Sequence, residues 1–253
     1  MHGVDSGRES WRVLKNIKKP PAKKTPPRKT KPHRRVPLET KTRPQQQRAQ
    51  STYDAILEAA GELLAEVGVE RLSTNLVCKR AGLTPPALYR YFPNKYALLK
   101  ELGARLMQVQ DDDVFAWQDK VRDMRGVTVE VEAELRRIIQ TRVNEITKRF
   151  PGGGWVLRAL RAVPTLSAVR IASRESVAER DFERLAERFP KADRKLLRIA
   201  ATLCVEVMYA STELVMDQPE LDAEVIAEEI SFMTALYLGS FGKPRRKIRL
   251  PDR

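Results

Sequence analysis

The sequence predicts an all-α fold, and three observations carry that expectation. Apolar residues recur at i, i+3, i+4 along most of the chain, and beyond Asp113 no segment alternates as a half-buried strand would. The periodic segments are divided by strong breakers, Pro151-Gly152-Gly153-Gly154, Pro164, Pro190 and Pro219. Two short helices separated only by Gly82-Leu83-Thr84 give a helix-turn-helix pattern, in which the second helix enters the major groove of DNA. The expected architecture is a three-helix domain with that motif, residues 49–95, and then a larger all-helical domain, residues 96–241.

Charge sets the flanks. The 253 residues are 42% hydrophobic and 32% charged, with net charge +14. Residues 1–48 hold fifteen Lys and Arg against three acids, a net of +12, so the rest of the chain is nearly neutral. This Lys/Arg/Pro-rich arm has too little apolar surface to offset its ordering entropy and is predicted to be disordered, apart from a turn or two around Trp11, Val13, Leu14 and Ile17. It reads either as a nonspecific phosphate binder, with Arg43 and Arg48 nearest the DNA, or as an extension without consequence. Residues 242–253 form a basic C-terminal tail. Cys78 and Cys204 lie in apolar helical contexts without metal-ligand spacing, so they read as core residues; no cofactor is expected. No N-terminal signal is visible and no apolar stretch approaches the roughly 20 residues of a membrane span, so no membrane partner and a cytoplasmic, nucleoid-associated location are expected.

The elements follow in order. From Ser51 to Val67, Ile56, Leu57, Ala60, Leu63, Leu64 and Val67 form an apolar stripe on a helix ending at Gly68, predicted to pack on Leu72, Leu76, Val77, Leu88 and Phe92. Ser73 caps the next helix and Gly82 closes it; Thr84 caps a second, with Pro85 at its first position, and Pro93 ends it. Asn94 caps a fourth helix carrying Leu98, Leu99, Leu102 and Leu106 towards the second domain. Further helices are predicted at about 129–149, 155–162, 165–188, 192–216 and 220–240.

The run Arg80-Ala81-Gly82-Leu83-Thr84, then Ala87-Leu88-Tyr89-Arg90-Tyr91-Phe92-Pro93-Asn94-Lys95 and Ala97-Leu98-Leu99, resembles the TetR family of bacterial transcriptional regulators over about Tyr53 to Leu102. The resemblance implies a dimer paired through the last two long helices, a small-molecule effector, and backbone contacts to double-stranded DNA from Thr74, Tyr89, Arg90, Tyr91 and Lys95. It also implies that ligand binding shifts the fourth helix and thereby the spacing of the recognition helices.

Independently of the resemblance, Asn94, free N–H groups and Lys95 form the best local phosphate site, and Thr74, Tyr89 and Arg90 add donors. Tyr91 reads equally well as core. At the reading tip, Pro85, Pro86 and Ala87 offer no side-chain donors but an apolar surface for thymine methyls, so direct hydrogen-bond readout is expected to be sparse, carried by Thr84 and Arg90, with groove shape and the basic arm contributing more. Thr84 is expected to cap only through the N–H of Ala87.

In the second half, Trp155, Arg158 and Arg161, with Thr202, Glu206, Tyr209 and Glu213 at i, i+4, i+7, i+11, put polar groups into apolar helices. They read either as a small-molecule site for an apolar or amphipathic ligand, or as Arg–Glu bridges tying helices together. Leu203, Val207 and Leu214, on a stripe with Leu196 and Ala200, and Ile226, Ile230, Met233 and Tyr237 exceed what one core consumes and suggest a homodimer on a palindromic operator. No catalytic constellation appears: the only histidines, His2 and His33, lie in the arm. The expected function is ligand-released repression; the alternative is an architectural DNA-coating protein acting through the arm.

Overall fold

The computed structural model describes residues 36–41, 47–121, 123 and 126–242, and all regular structure among them is helical. Helix α1 runs Gln47–Arg71 and is broken where the sequence predicts its end, at Gly68 (φ 71°, ψ 176°). A side chain there would be strained, and its Cβ would stand 3.3 Å from the Trp155 ring. The α1 stripe is buried as expected, from Tyr53 through Leu64.

Helix α2, Thr74–Ala81, starts where the Leu76 N–H donates to Ser73 Oγ (3.3 Å) and stops at left-handed Gly82, after which the Leu83 N–H reaches back to the Cys78 carbonyl (2.9 Å). Leu76 departs from expectation: it is 38% exposed, because a helix this short turns only Val77 and Cys78 fully inward. Helix α3 is a single turn and a half, Pro85–Tyr89, not the longer helix reaching Pro93. Leu88, Tyr91 and Phe92 drop into the core behind it, and Tyr53 stacks on Phe92 with centroids 4.9 Å apart.

Helix α4, Lys95–Lys120, spans about 39 Å at 1.5 Å per residue and leaves the helix-turn-helix to become a wall of the second half. It is followed by α5 (Val129–Arg149), α6 (Gly153–Ala162), α7 (Ser167–Arg188), α8 (Arg194–Asp217) and α9 (Ala223–Gly239). The last two begin later than the periodicity implies because Asp193 and Asp222 cap them, each accepting two first-turn N–H bonds. Helix α5 lies along α9 and α7 along α8.

One hydrophobic core is continuous from Tyr53 to Tyr209, and a smaller one gathers Phe182, Leu185, Leu197 and Leu238. The reading that no segment approaches a membrane span is corrected for α8, which by length and composition alone is apolar enough to cross one. In the fold its Leu197, Ala201, Val205 and Tyr209 are buried, so that apolarity is used partly by the core and partly by an outward stripe.

Candidate nucleic-acid interface and internal cavity

Helices α2 and α3 present a polar face opposite the core. Thr84, Pro85, Pro86, Tyr89 and Arg90 are exposed, while Leu88 behind them is fully buried. The Thr74 and Tyr89 hydroxyls lie 3.0 Å apart, which brings two donors from different helices to one point on the surface. The Thr84 hydroxyl makes no capping bond. Pro85 and Pro86 have no N–H to offer it, and the first available donor, the Ala87 N–H, is taken by the Thr84 carbonyl (3.0 Å). That leaves the hydroxyl outward and revises its expected role as a cap.

Two expected contact residues are placed differently. Tyr91 is 4% exposed, its ring packed edge-on against Tyr53 (5.7 Å), so its side chain belongs to the core. Lys95 does not stand free at the helix start: its ammonium donates to the Val69 and Glu70 carbonyls (3.1 and 3.3 Å), closing the end of α1. Asn94 caps α4 by accepting from the Tyr96 and Ala97 N–H groups (2.9 and 3.0 Å) and donates to the Pro37 carbonyl (2.8 Å). The incoming segment is fastened there, with Lys41 N–H on the Tyr91 carbonyl (2.8 Å) and Glu39 paired with Lys100 (2.5 Å). Arg48 lies in the first turn of α1, but its side chain, Arg43, most of the arm and the C-terminal tail lie outside the described residues.

The residues singled out for a ligand are bridged to one another, and Thr202 and Glu206 also line a cleft of about 570 Å³ with Arg170, Arg174 and Arg198. Arg158 pairs with Asp217 (2.5 Å) and covers the Trp155 ring (4.6 Å), Arg161 pairs with Glu213 (2.7 Å), and Arg174 holds both Glu206 and Glu213. Tyr209 is 1% exposed, with its hydroxyl 3.0 Å from Ser173 Oγ and donating to Asp111 Oδ1 (3.2 Å); burial pushes its ionisation up. These are the interhelix bridges that the sequence leaves as the alternative, joining α6, α7 and α8.

A second, smaller and more apolar cavity lies between α4, α5, α7, α8 and α9. It holds about 40 Å³ and is lined by Val114, Trp117, Gln118, Arg136, Asp181 and Met208 among others. Several polar atoms there have no hydrogen-bond partner among the described residues: Trp117 Nε1, Gln118 Oε1 and Arg136 Nη2. Burial raises the Cys204 thiol to about 11, so it is a neutral wall. Nothing in local pattern flagged these residues singly. The signal was jointly present as polar side chains at core-facing positions: Gln110 and Gln118 on α4, and Arg136, Gln140 and Asn144 at four-residue steps on α5. Among the described residues no group of His, Cys, Asp and Glu is arranged to hold a metal.

On the opposite side of α8 and α9, an outward stripe combines Leu196, Ile199, Leu203 and Leu214 with Val225, Phe232, Met233 and Leu236. Of the expected interface residues, Leu203, Leu214 and Met233 stand on it. Val207 and Ile226 are half-buried, Ile230 lines the cavity, and Tyr237 turns into the second core, 5.7 Å from the Phe241 ring.

With the geometry in place, comparison locates its relatives. The family described as bacterial regulatory proteins, tetR family, matches residues 56–102. Tetracycline repressor protein class C from Escherichia coli is 39% identical over 67 residues, covering 24% of this chain and 31% of that protein. The HTH-type transcriptional regulator UidR from Escherichia coli K12 is 30% identical over 88 residues, 35% of this chain and 43% of that protein. The chain therefore matches less than half the length of these curated relatives. Among solved structures, a protein described as a TetR-family transcriptional regulator from Syntrophomonas wolfei superposes with TM-score 0.59 at 11% identity, over 75% of this chain and 96% of that one. The SmeT–triclosan complex does so with TM-score 0.58 at 22% identity, over 74% and 91%. At these identities the likeness is one of fold: a helix-turn-helix domain followed by a helical domain.

Proposed function

We propose that this chain, which carries the TetR family's helix-turn-helix domain, is a dimeric transcriptional regulator that represses from a palindromic operator and leaves it when a small apolar or amphipathic ligand enters the cavity between α4, α5, α7, α8 and α9. It acts in the cytoplasm, on nucleoid DNA, as a regulator and not an enzyme. The observation that carries the reading is the division of α2 and α3 into a buried apolar side and an outward face of Thr84, Pro85, Pro86, Ala87, Tyr89 and Arg90. The reader is assigned to residues 49–95 and the ligand and dimer functions to 96–241.

The division of labour follows from chemistry. Thr74 and Tyr89 hold phosphate oxygens and so fix register, while Arg90 and the free Thr84 hydroxyl supply the few hydrogen bonds to bases. Pro85, Pro86 and Ala87 meet thymine methyls. Coupling to the ligand runs through α4, which walls the cavity with Val114, Trp117 and Gln118 and begins at Lys95, directly behind α3. A ligand shifts operator affinity only insofar as it binds one arrangement of α4 better than the other. The structural neighbour in complex with triclosan supports a small molecule in this role.

The alternative, an architectural protein that coats DNA through its basic arm, predicts the opposite dependence on that arm. Deleting residues 1–45 and footprinting on selected operator DNA separates the two. Repression from a defined site predicts an unchanged footprint with a shallower dependence of affinity on salt, since fewer phosphates are neutralised. Loss of the footprint together with most of the binding would establish the coating protein instead.

A further inference from the structure

We infer that the ligand of the cavity is an apolar carboxylic acid, bound as its anion with the carboxylate on Arg136; the inference rests on the cavity being the effector site. Five buried or nearly buried charges run across its polar end in alternating order: Arg184, Asp181, Arg136, Glu132, Arg188. Arg184 grips Asp181 Oδ1 with Nε and Nη2 (3.1 and 2.7 Å), Arg136 Nε donates to Glu132 Oε1 (3.1 Å), and Arg188 donates to Glu132 Oε2 and to the Val127 carbonyl. Between the two halves, Arg136 Nη2 is 3.6 Å from Asp181 Oδ2, beyond hydrogen-bond reach. Burial alone would drive Asp181 towards neutrality, but Arg184 and Arg136 hold it low, so it stays charged. Among the described residues three cations stand against two anions, which leaves one positive charge uncompensated and costly until an anion joins it.

The unpaired atoms point the same way. Arg136 Nη2 and Trp117 Nε1 are donors without acceptors, both on residues that line the cavity, and Arg184 Nη1, next in the chain, is a third. A half-turn of the Gln118 amide puts its NH2 donor where the unpartnered oxygen stands, since the two ends of that group are interchangeable in shape. A carboxylate with two acceptor oxygens satisfies an arginine fork as no neutral group does. Val114, Ile139, Val177, Val205, Met208 and Ile230 give the wall an apolar side that suits a hydrocarbon body, with Gln140, Ser231 and Thr234 as its further polar members. The acids on the far side of Gln118 and Arg184, namely Asp119, Glu183 and Glu187, are exposed, so water screens their repulsion. At about 40 Å³ the cavity has room for a few waters, so an acid with a chain of several carbons has to part α4 from its neighbours to enter. That is the displacement the regulator needs.

The test uses the full-length protein and three matched probes, octanoate, octanol and octylamine, with Trp117 fluorescence as readout and Trp117→Phe as the blank. Octanoate should bind at least about tenfold more tightly than octanol, and octylamine not at all. Arg136→Lys, which keeps the charge but loses the fork, should weaken octanoate about tenfold and leave octanol unchanged. Should that variant not fold, Gln118→Leu leaves the charge chain intact and should weaken octanoate selectively. Octanol or octylamine binding as well as octanoate overturns the anion while leaving the cavity as the effector site. No response of Trp117 to any of the three overturns both.

Discussion

Asp111 shows how a single half-buried group stores an unfavourable contribution. Its carboxylate accepts from Ser173 (2.8 Å) and Tyr209 (3.2 Å), yet burial outweighs both bonds and lifts its pKa above the usual 3.8. The folded state therefore holds a proton more readily than the unfolded chain does, and stability from this group rises as pH falls through its folded pKa, reaching its full value below 3.8. Asn at this position keeps the accepting oxygen and removes the charge. Asp111→Asn should raise the urea midpoint at pH 7, with the gain shrinking as pH is lowered towards 4. A lower midpoint at pH 7 would show that the carboxylate is needed charged. Asp181 has the opposite sign: its pKa is held down by Arg184 and Arg136, so its contribution is present above 3.8 and lost on acidification.

Between elements, the close approaches are made by glycine. A Cβ on Gly61 of α1 would stand 2.6 Å from the Pro151 carbonyl oxygen, and one on Gly152 would stand 2.4 Å from the Gly61 oxygen. Backbone meets backbone there, so α1 is seated directly on the turn before α6 and neither partner can yield by a rotamer change. Gly61→Ala should cost about 1–3 kcal/mol of unfolding free energy, the usual range for overpacking a filled site; an unchanged denaturation curve would mean that the seat is not closed. From the sequence, Gly61 was only a small residue on a helix, because periodicity says which face is buried and not what lies against it. The helix-turn-helix was legible in its caps and turn, since such residues act locally: Ser73, Gly82 and Asn94 do what their chemistry requires, whereas the shortness of α3 and the Thr84 hydroxyl's failure to cap were not legible. The cavity was not, because Trp117, Arg136 and Asp181 come from three helices and meet only through tertiary packing. Arg158, Arg161 and Glu206 were ambiguous for the same reason: polar residues in apolar helices mark either a ligand or a bridge, and the partners that form the bridges are distant in sequence.

For the whole molecule, the outward stripe of α8 and α9 is the largest unused apolar resource. Leu196, Ile199, Leu203 and Leu214 recur at helical spacing on one helix, and Val225, Phe232, Met233 and Leu236 extend the same property onto the next, each between about a third and a half exposed. Eight large apolar side chains in two adjacent rows exceed the scattered exposure expected of a monomer surface. Pairing two copies through these rows makes a four-helix bundle, the arrangement that buries both helices of each copy at once. A double substitution, Leu203→Glu with Phe232→Glu, places charges in the middle of the bundle, and neither residue belongs to a buried core of the chain. The variant should retain its helical circular dichroism and sediment as a monomer at micromolar concentration. The effect on DNA then follows from linkage. Two tethered readers bind the second half-site at an effective concentration far above that of free protein, so losing the tether should weaken binding to a palindrome by about 10²–10⁴-fold while leaving binding to an isolated half-site unchanged. A variant that stays dimeric, or a monomer that still holds the palindrome at full affinity, would remove this stripe from the mechanism. It would also leave the separation of the two recognition helices, on which the proposed release by ligand depends, without a structural basis.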